Sequence, residues 1–100
     1  MKREESLLTN PTKLYVMLIL QESDRHGYEI ISEFKRRLGK RLSPGQIYPL
    51  LKSMVKKGLV NFYEESQGKR RRRVYRLTQE GREVCEGAVE KLKELFDALR

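Results

Sequence analysis

LVNFYEESQGKRRRRVYRLT, residues 59–78, sets two β-forming runs on either side of a glycine turn. Leu59 to Glu65 is dense in branched and aromatic side chains, and Arg72 to Leu77 alternates Tyr75 and Leu77 with Arg76. Ser66-Gln67-Gly68-Lys69 supplies the reversal between them, so the stretch reads as a β-hairpin with Tyr75 and Leu77 turned inward. The basic run Lys69-Arg70-Arg71-Arg72-Arg73 lies at its tip and on its second strand. A floppy basic arm belongs at a chain end among polar residues. This run sits mid-chain between folded segments, which predicts cations presented on a semi-rigid ribbon.

Helix signals flank the hairpin. Thr78 caps a helix from Gln79 to about Leu99. Upstream, Ser43 caps and Pro44 takes the first position of a helix over 44–57 that Gly58 ends, with Ile47, Leu50, Leu51 and Met54 facing inward. Gln46, Pro49, Lys52, Ser53 and Lys56 then occupy the wet side, with Tyr48 at its border. Further back, Ile31, Phe34 and Leu38 recur at helical spacing in a helix from Tyr28 to Leu38, stopped by Gly39. Asp24 to Gly27 is a break, with His26 placed as a capping residue rather than a ligand. Asn10-Pro11 opens a first helix to about Gln21, and its run Leu14–Leu20 is apolar nearly all round, so one covering face is not enough. A charged start precedes it.

The order helix, helix, helix, hairpin, helix predicts a mainly α chain with a small β-hairpin. It is the pattern of a winged helix-turn-helix with a C-terminal dimerisation helix. Residues 1–77 form the DNA-binding unit, and 78–100 form the dimerisation helix of the same compact body.

One hundred residues suit one domain. Lys and Arg number 22 against 14 Asp and Glu, a net charge of +8, and the excess lies ahead of the last helix. Residues 1–77 carry 18 basic and 8 acidic side chains, whereas 78–100 carry 4 and 6. A polyanion is the natural partner of such a face, and double-stranded DNA is the usual one. A membrane is not expected, because Leu14–Leu20 is too short to span one and no lipidation signal or basic amphipathic helix is present. The chain reads as cytoplasmic. Cys85 reads as a small buried apolar residue, and with the single His26 it is too sparse for a metal site. No cofactor motif and no catalytic carboxylate cluster appear, which argues against an enzyme.

In a winged helix-turn-helix the third helix fits the major groove and the hairpin reaches phosphates or the adjacent minor groove. Gln46 is the candidate base reader, since an amide pairs bidentately with adenine. Lys52 and Lys56 suit phosphates, which position without specifying sequence. Lys35, Arg36, Arg37, Lys40 and Arg41 add positive charge at the end of the second helix and in the following turn. Tyr28 reads equally as a core or a surface aromatic, and Tyr48 as a DNA contact. Against sequence-specific regulation stands a winged-helix adaptor or a non-specific DNA-binding chromatin protein.

HGYEI at 26–30, LSPGQIYPLL at 42–51, GLV at 58–60 and RVYRLTQEG at 73–81 together resemble the PadR-type winged-helix transcriptional regulators, over about residues 12–84. The resemblance implies a homodimer, usually a repressor, on an inverted-repeat operator. It makes the third helix the recognition helix and the hairpin the wing. The DNA-binding candidates are then Ser43, Gln46, Tyr48, Pro49, Lys52, Lys56, Lys40 and Arg41, with Lys69, Arg70, Arg71, Arg72 and Arg73 from the wing. Some members are released by a small phenolic or aromatic effector. Here the candidate pocket involves Tyr15 with Leu14, Leu18, Leu92 and Phe96, although the tryptophan that some drug-sensing members use is absent.

In the last helix Cys85, Ala88, Leu92, Leu95 and Leu99 recur at heptad spacing, widened by Phe96. With Leu14 and Leu18 of the first helix they form the expected dimer seam. The alternative is that this stripe lies back on its own domain.

Overall fold

The computed structural model describes residues 3–100, so residues 1 and 2 of the expected DNA-binding unit lie outside it. The chain runs α1 (Arg3–Leu8), α2 (Pro11–Glu22), β1 (Arg25–His26), α3 (Gly27–Leu38), α4 (Pro44–Lys56), β2 (Val60–Gln67), β3 (Arg70–Leu77) and α5 (Gln79–Ala98). The helix expected as third is therefore α4. Two elements are additions to the sequence reading: α1, formed by the charged start, and β1, inside the expected break.

Local chemistry sets the boundaries. Asn10 Oδ1 accepts the Lys13 N–H at 3.2 Å, and Pro11 opens α2 where a missing donor costs nothing. Gly39 ends α3 at φ +69°. At the end of α4, Gly58 (φ +76°) donates to the Val55 carbonyl at 3.0 Å and Leu59 to the Met54 carbonyl at 3.0 Å, a Schellman stop. Thr78 Oγ1 accepts the Gly81 N–H at 3.0 Å to start α5 and donates to the Gly58 carbonyl at 2.6 Å, tying two helix ends together.

The antiparallel sheet has the order β1-β3-β2. Arg25 pairs with Tyr75 and His26 with Val74, so the two-residue strand stitches the start of α3 to the base of the hairpin. The core gathers Val16, Met17, Ile19 and Leu20 of α2, Ile30 and Phe34 of α3, and Ile47, Leu51 and Met54 of α4. Leu59, Val60, Tyr75 and Leu77 close it from the hairpin side, and Val84, Cys85 and Ala88 from α5. Elements α1, α3, β3 and α5 pack around α2 and bury Val16, Met17, Ile19 and Leu20, leaving Leu14, Tyr15 and Leu18 half-buried. Ile31 and Leu50 are half-buried and pack against this core, whereas Leu38, which recurs at the same helical spacing, is exposed in the last turn of α3.

An ion network fixes α2 to α3. Arg37 bridges Glu22, with one contact at 2.7 Å, and Glu33 at 3.0 Å. Arg36 chelates Glu33 through two 2.7 Å bonds, and Arg25 joins Glu22 at 3.3 Å. The Arg36 guanidinium, then that of Arg37, pulls the Glu33 carboxyl from its usual 4.5 to about 2. A carboxylate depressed by folding stabilises fully above the unfolded value and loses that effect as pH falls through the folded one. Thermal melts should therefore lose stability as pH drops from about 4.5 towards about 2, and Glu33→Gln should flatten that window.

Candidate nucleic-acid interface

A cleft of about 640 Å³ opens between the hairpin and the starts of two helices. Arg70, Arg71, Arg72 and Arg73 line one wall; His26, Gly27, Tyr28, Glu29 and Tyr48 line the other, with Tyr75 also contributing. The basic ribbon thus comes up against α4 at Tyr48, the α4 residue that lines the cleft. Tyr48, Lys52 and Lys56 follow at steps of four along α4, which places them in one exposed row leading away from the cleft.

Close packing at Gly27 aims Tyr48. A Cβ built on Gly27 would stand 2.6 Å from Tyr48 Cε1 and 2.7 Å from its hydroxyl oxygen. Only glycine lets the phenol lie across the start of α3. Gly27→Ala is expected to displace Tyr48 and weaken duplex binding about tenfold, while the far-ultraviolet circular dichroism stays that of the wild type. Unchanged affinity would remove Tyr48 from the interface.

His26 is the N-cap residue of α3, and its backbone N–H donates to Glu29 Oε1 at 2.8 Å. That bond is the main reason the Glu29 carboxyl lies below the usual carboxylate range. The His26 ring also engages Glu29 through Nδ1, while Nε2 is buried 4.0 Å from Glu65 of β2. Tyr28 is 75% exposed, which settles its two readings in favour of the surface.

At the hairpin tip Gly68 takes φ +62° as the first residue of the two-residue turn Gly68-Lys69. The arginines beyond it are exposed, and the Arg73 guanidinium lies 4.4 Å above the Phe62 ring. Phe62 in turn packs at 5.9 Å on Tyr75, so the root of the ribbon is anchored by aromatic contacts. Tyr63 adds a bond of 3.3 Å to Asp24 in the loop before β1.

The remaining candidates divide. Lys40, Arg41, Pro49, Lys52, Lys56 and Lys69 are exposed. Ser43 and Gln46 are joined in the α4 cap: the Ser43 N–H donates to Gln46 Oε1 at 2.9 Å, and Ser43 Oγ lies 3.2 Å from the same oxygen. The bidentate adenine pairing expected of Gln46 would have to share or release that oxygen, leaving its Nε2 as the readily available group. Arg36 pairs with Glu33 one turn back along α3, and Arg37 with Glu33 and with Glu22 of α2, so both of these cations are already matched by carboxylates.

The expected seam also divides. Cys85 and Ala88 are wholly buried in the core of their own subunit, which corrects their assignment to a dimer contact. The packing of α5 on α1, α2 and β3 takes up that half of the stripe. Burial raises the Cys85 thiol to about 11. Farther along, Leu95, Phe96 and Leu99 are 52%, 63% and 74% exposed, and Leu14, Leu18 and Leu92 are half-buried. Leu18 also borders a shallow cleft of about 270 Å³ with Val89 and Lys93 of α5, so the open sides of α2 and α5 adjoin. Tyr15 packs edge-on to Phe34 at 5.6 Å and lines a cleft of about 350 Å³ with Leu18, Gln21, Glu22 and Arg37. Among the described residues, no helix is long and apolar enough to cross a membrane.

Residues 16–87 match the model of the transcriptional regulator PadR-like family. The negative transcriptional regulator PadR of Bacillus subtilis is 35% identical over 74 residues, covering 71% of this chain and 41% of that protein. The transcriptional activator GvpE1 of Halobacterium salinarum is 30% identical over 87 residues, covering 87% of this chain and 41% of that protein. The chain thus spans about two-fifths of the length of these curated relatives. The crystal structure of Bacillus subtilis PadR in complex with operator DNA superposes with a TM-score of 0.74 at 29% identity, over 80% of this chain and 46% of that one.

Proposed function

We propose, for a chain that belongs to the PadR-like family of transcriptional regulators, a role as a homodimeric repressor of an inverted-repeat operator. One observation carries this reading: the wing arginines and Tyr48 of α4 line a single cleft, so the basic ribbon and the reading helix meet a duplex together. Helix α4 enters the major groove with Gly45, Gln46 and Pro49 towards base edges, while Tyr48, Lys52 and Lys56 run along the backbone. The wing, with Lys40 and Arg41 in the turn before α4, grips neighbouring phosphates. Twofold symmetry sets the two α4 helices about 34 Å apart, one turn of DNA. Fluorescence anisotropy on an inverted-repeat duplex selected by the protein, against random duplex of equal length, tests this. A preference of about a thousandfold or more, with steep salt dependence on both, is the expected result, and equal affinity for the two would overturn it.

The second subunit covers the open end of α5 and the half-buried side of α2. Leu95, Phe96 and Leu99 are then buried against the partner, with Leu14, Leu18 and Leu92 at the margin, and a small aromatic effector would lodge near Tyr15. Phe96→Glu is expected to halve the mass seen by light scattering and to weaken operator binding about a hundredfold, since one half-site remains. An unchanged mass would remove α5 from the interface.

A further inference from the structure

Two acids sit where a purely phosphate-gripping wing would have none. The register opposes Glu64 to Arg73, Glu65 to Arg72, Ser66 to Arg71 and Gln67 to Arg70. Side chains alternate along a strand, so Glu64 shares one face of the ribbon with Arg71 and Arg73, and Glu65 shares the other with Arg70 and Arg72. Each face therefore carries one carboxylate among its arginines. Glu64 Oε2 lies 3.7 Å from Arg71 Nη1, and Glu65 Oε1 lies 4.0 Å from His26 Nε2. Beyond Arg71 the partner of Arg70 is the neutral Gln67 and Lys69 adds a further cation, so the charge at the turn itself faces no carboxylate.

We propose that Glu64 and Glu65 are specificity-determining residues: built-in counter-ions that hold down sequence-independent DNA binding by the wing. This rests on the DNA-binding reading above. Exposed ion pairs of this kind are weak and exchange readily. A duplex phosphate that arrives in the right place takes the guanidinium from its glutamate, whereas a passing phosphate meets an arginine already partly neutralised and a carboxylate that repels it. On the operator α4 fixes the register, so the phosphates fall at the arginines. On other sequences nothing fixes it, and the glutamates hold the contact weak.

The test is the double variant Glu64→Gln/Glu65→Gln, in the full chain, titrated with the selected inverted-repeat duplex and with random duplex at several salt concentrations. Glutamine keeps the side-chain shape, and each single variant gives an intermediate check. Binding to random duplex is expected to tighten about tenfold at low salt, with a salt slope steeper by about 1 to 2 per subunit. The operator should gain less than about threefold, so the preference shrinks. The variant Glu83→Gln/Glu90→Gln, which changes net charge equally on exposed positions of α5, should leave both affinities near wild type. Unchanged binding and slope on random duplex would overturn the proposal, as would an equal effect from the α5 variant. A wild-type chain that prefers no duplex fails differently, by removing the DNA-binding reading itself.

Discussion

Gly81→Ala is expected to cost about 2 to 3 kcal/mol of folding stability, lowering the melting temperature by about 10 to 20 °C. A Cβ at this position would stand 2.0 Å from the Leu59 carbonyl oxygen and 3.0 Å from its carbon. That carbonyl is backbone and already accepts the Thr78 N–H at 3.1 Å, so no rotamer change relieves the clash. The first turn of α5 would have to lift away from the junction between α4 and β2. Thermal melts decide it, with Gly45→Ala as the contrast, because its nearest neighbour is Ser43 Oγ at 3.8 Å and its φ is not positive. Melting of Gly81→Ala at the wild-type temperature would mean that the close approach of α5 to Leu59 is not required.

Replacing Arg71, Arg72 and Arg73 together by alanine should weaken binding to operator and random duplex alike, by about a thousandfold near 0.1 M salt. A dimer loses six wing cations in this variant, and Glu64 and Glu65 are left without the arginines that oppose them across the ribbon. The slope of log affinity against log salt should fall by about 2 to 3 per subunit, since each lost phosphate contact removes about 0.9. The preference for the operator should change far less than the affinity, because arginines on phosphates position the protein without reading bases. Loss confined to the operator would mean that these side chains read sequence. Affinity and slope both unchanged would take the ribbon off the DNA.

Much of this was legible in the sequence because caps and turns are local chemistry. Asn10-Pro11, Ser43-Pro44 and Thr78 mark their helix starts, and Gly39 and Gly58 mark two ends at left-handed φ. The hairpin was legible from its β-formers, and both strands extend closer to the turn than composition alone indicated. Helix α1 was not, because six residues are too few for a periodic signal. Nor was β1, a strand made only by its partner β3. Heptad spacing marked the apolar stripe of α5 without saying what covers it, and its first half proved to belong to its own core. Ser43 and Gln46 stand at the spacing of a capping box, a signal that also foretells why the Gln46 oxygen is engaged. The cleft itself depends on Gly27 meeting Tyr48 across twenty-one positions of sequence, which no local pattern encodes.

The sealed thiol of Cys85 has a practical corollary. Fully enclosed and held protonated at neutral pH, it is no nucleophile towards maleimides or other sulfhydryl-selective dyes. The natural chain is therefore a silent background for labelling, and a cysteine introduced at the Gly68-Lys69 bend would carry a fluorophore at that point alone.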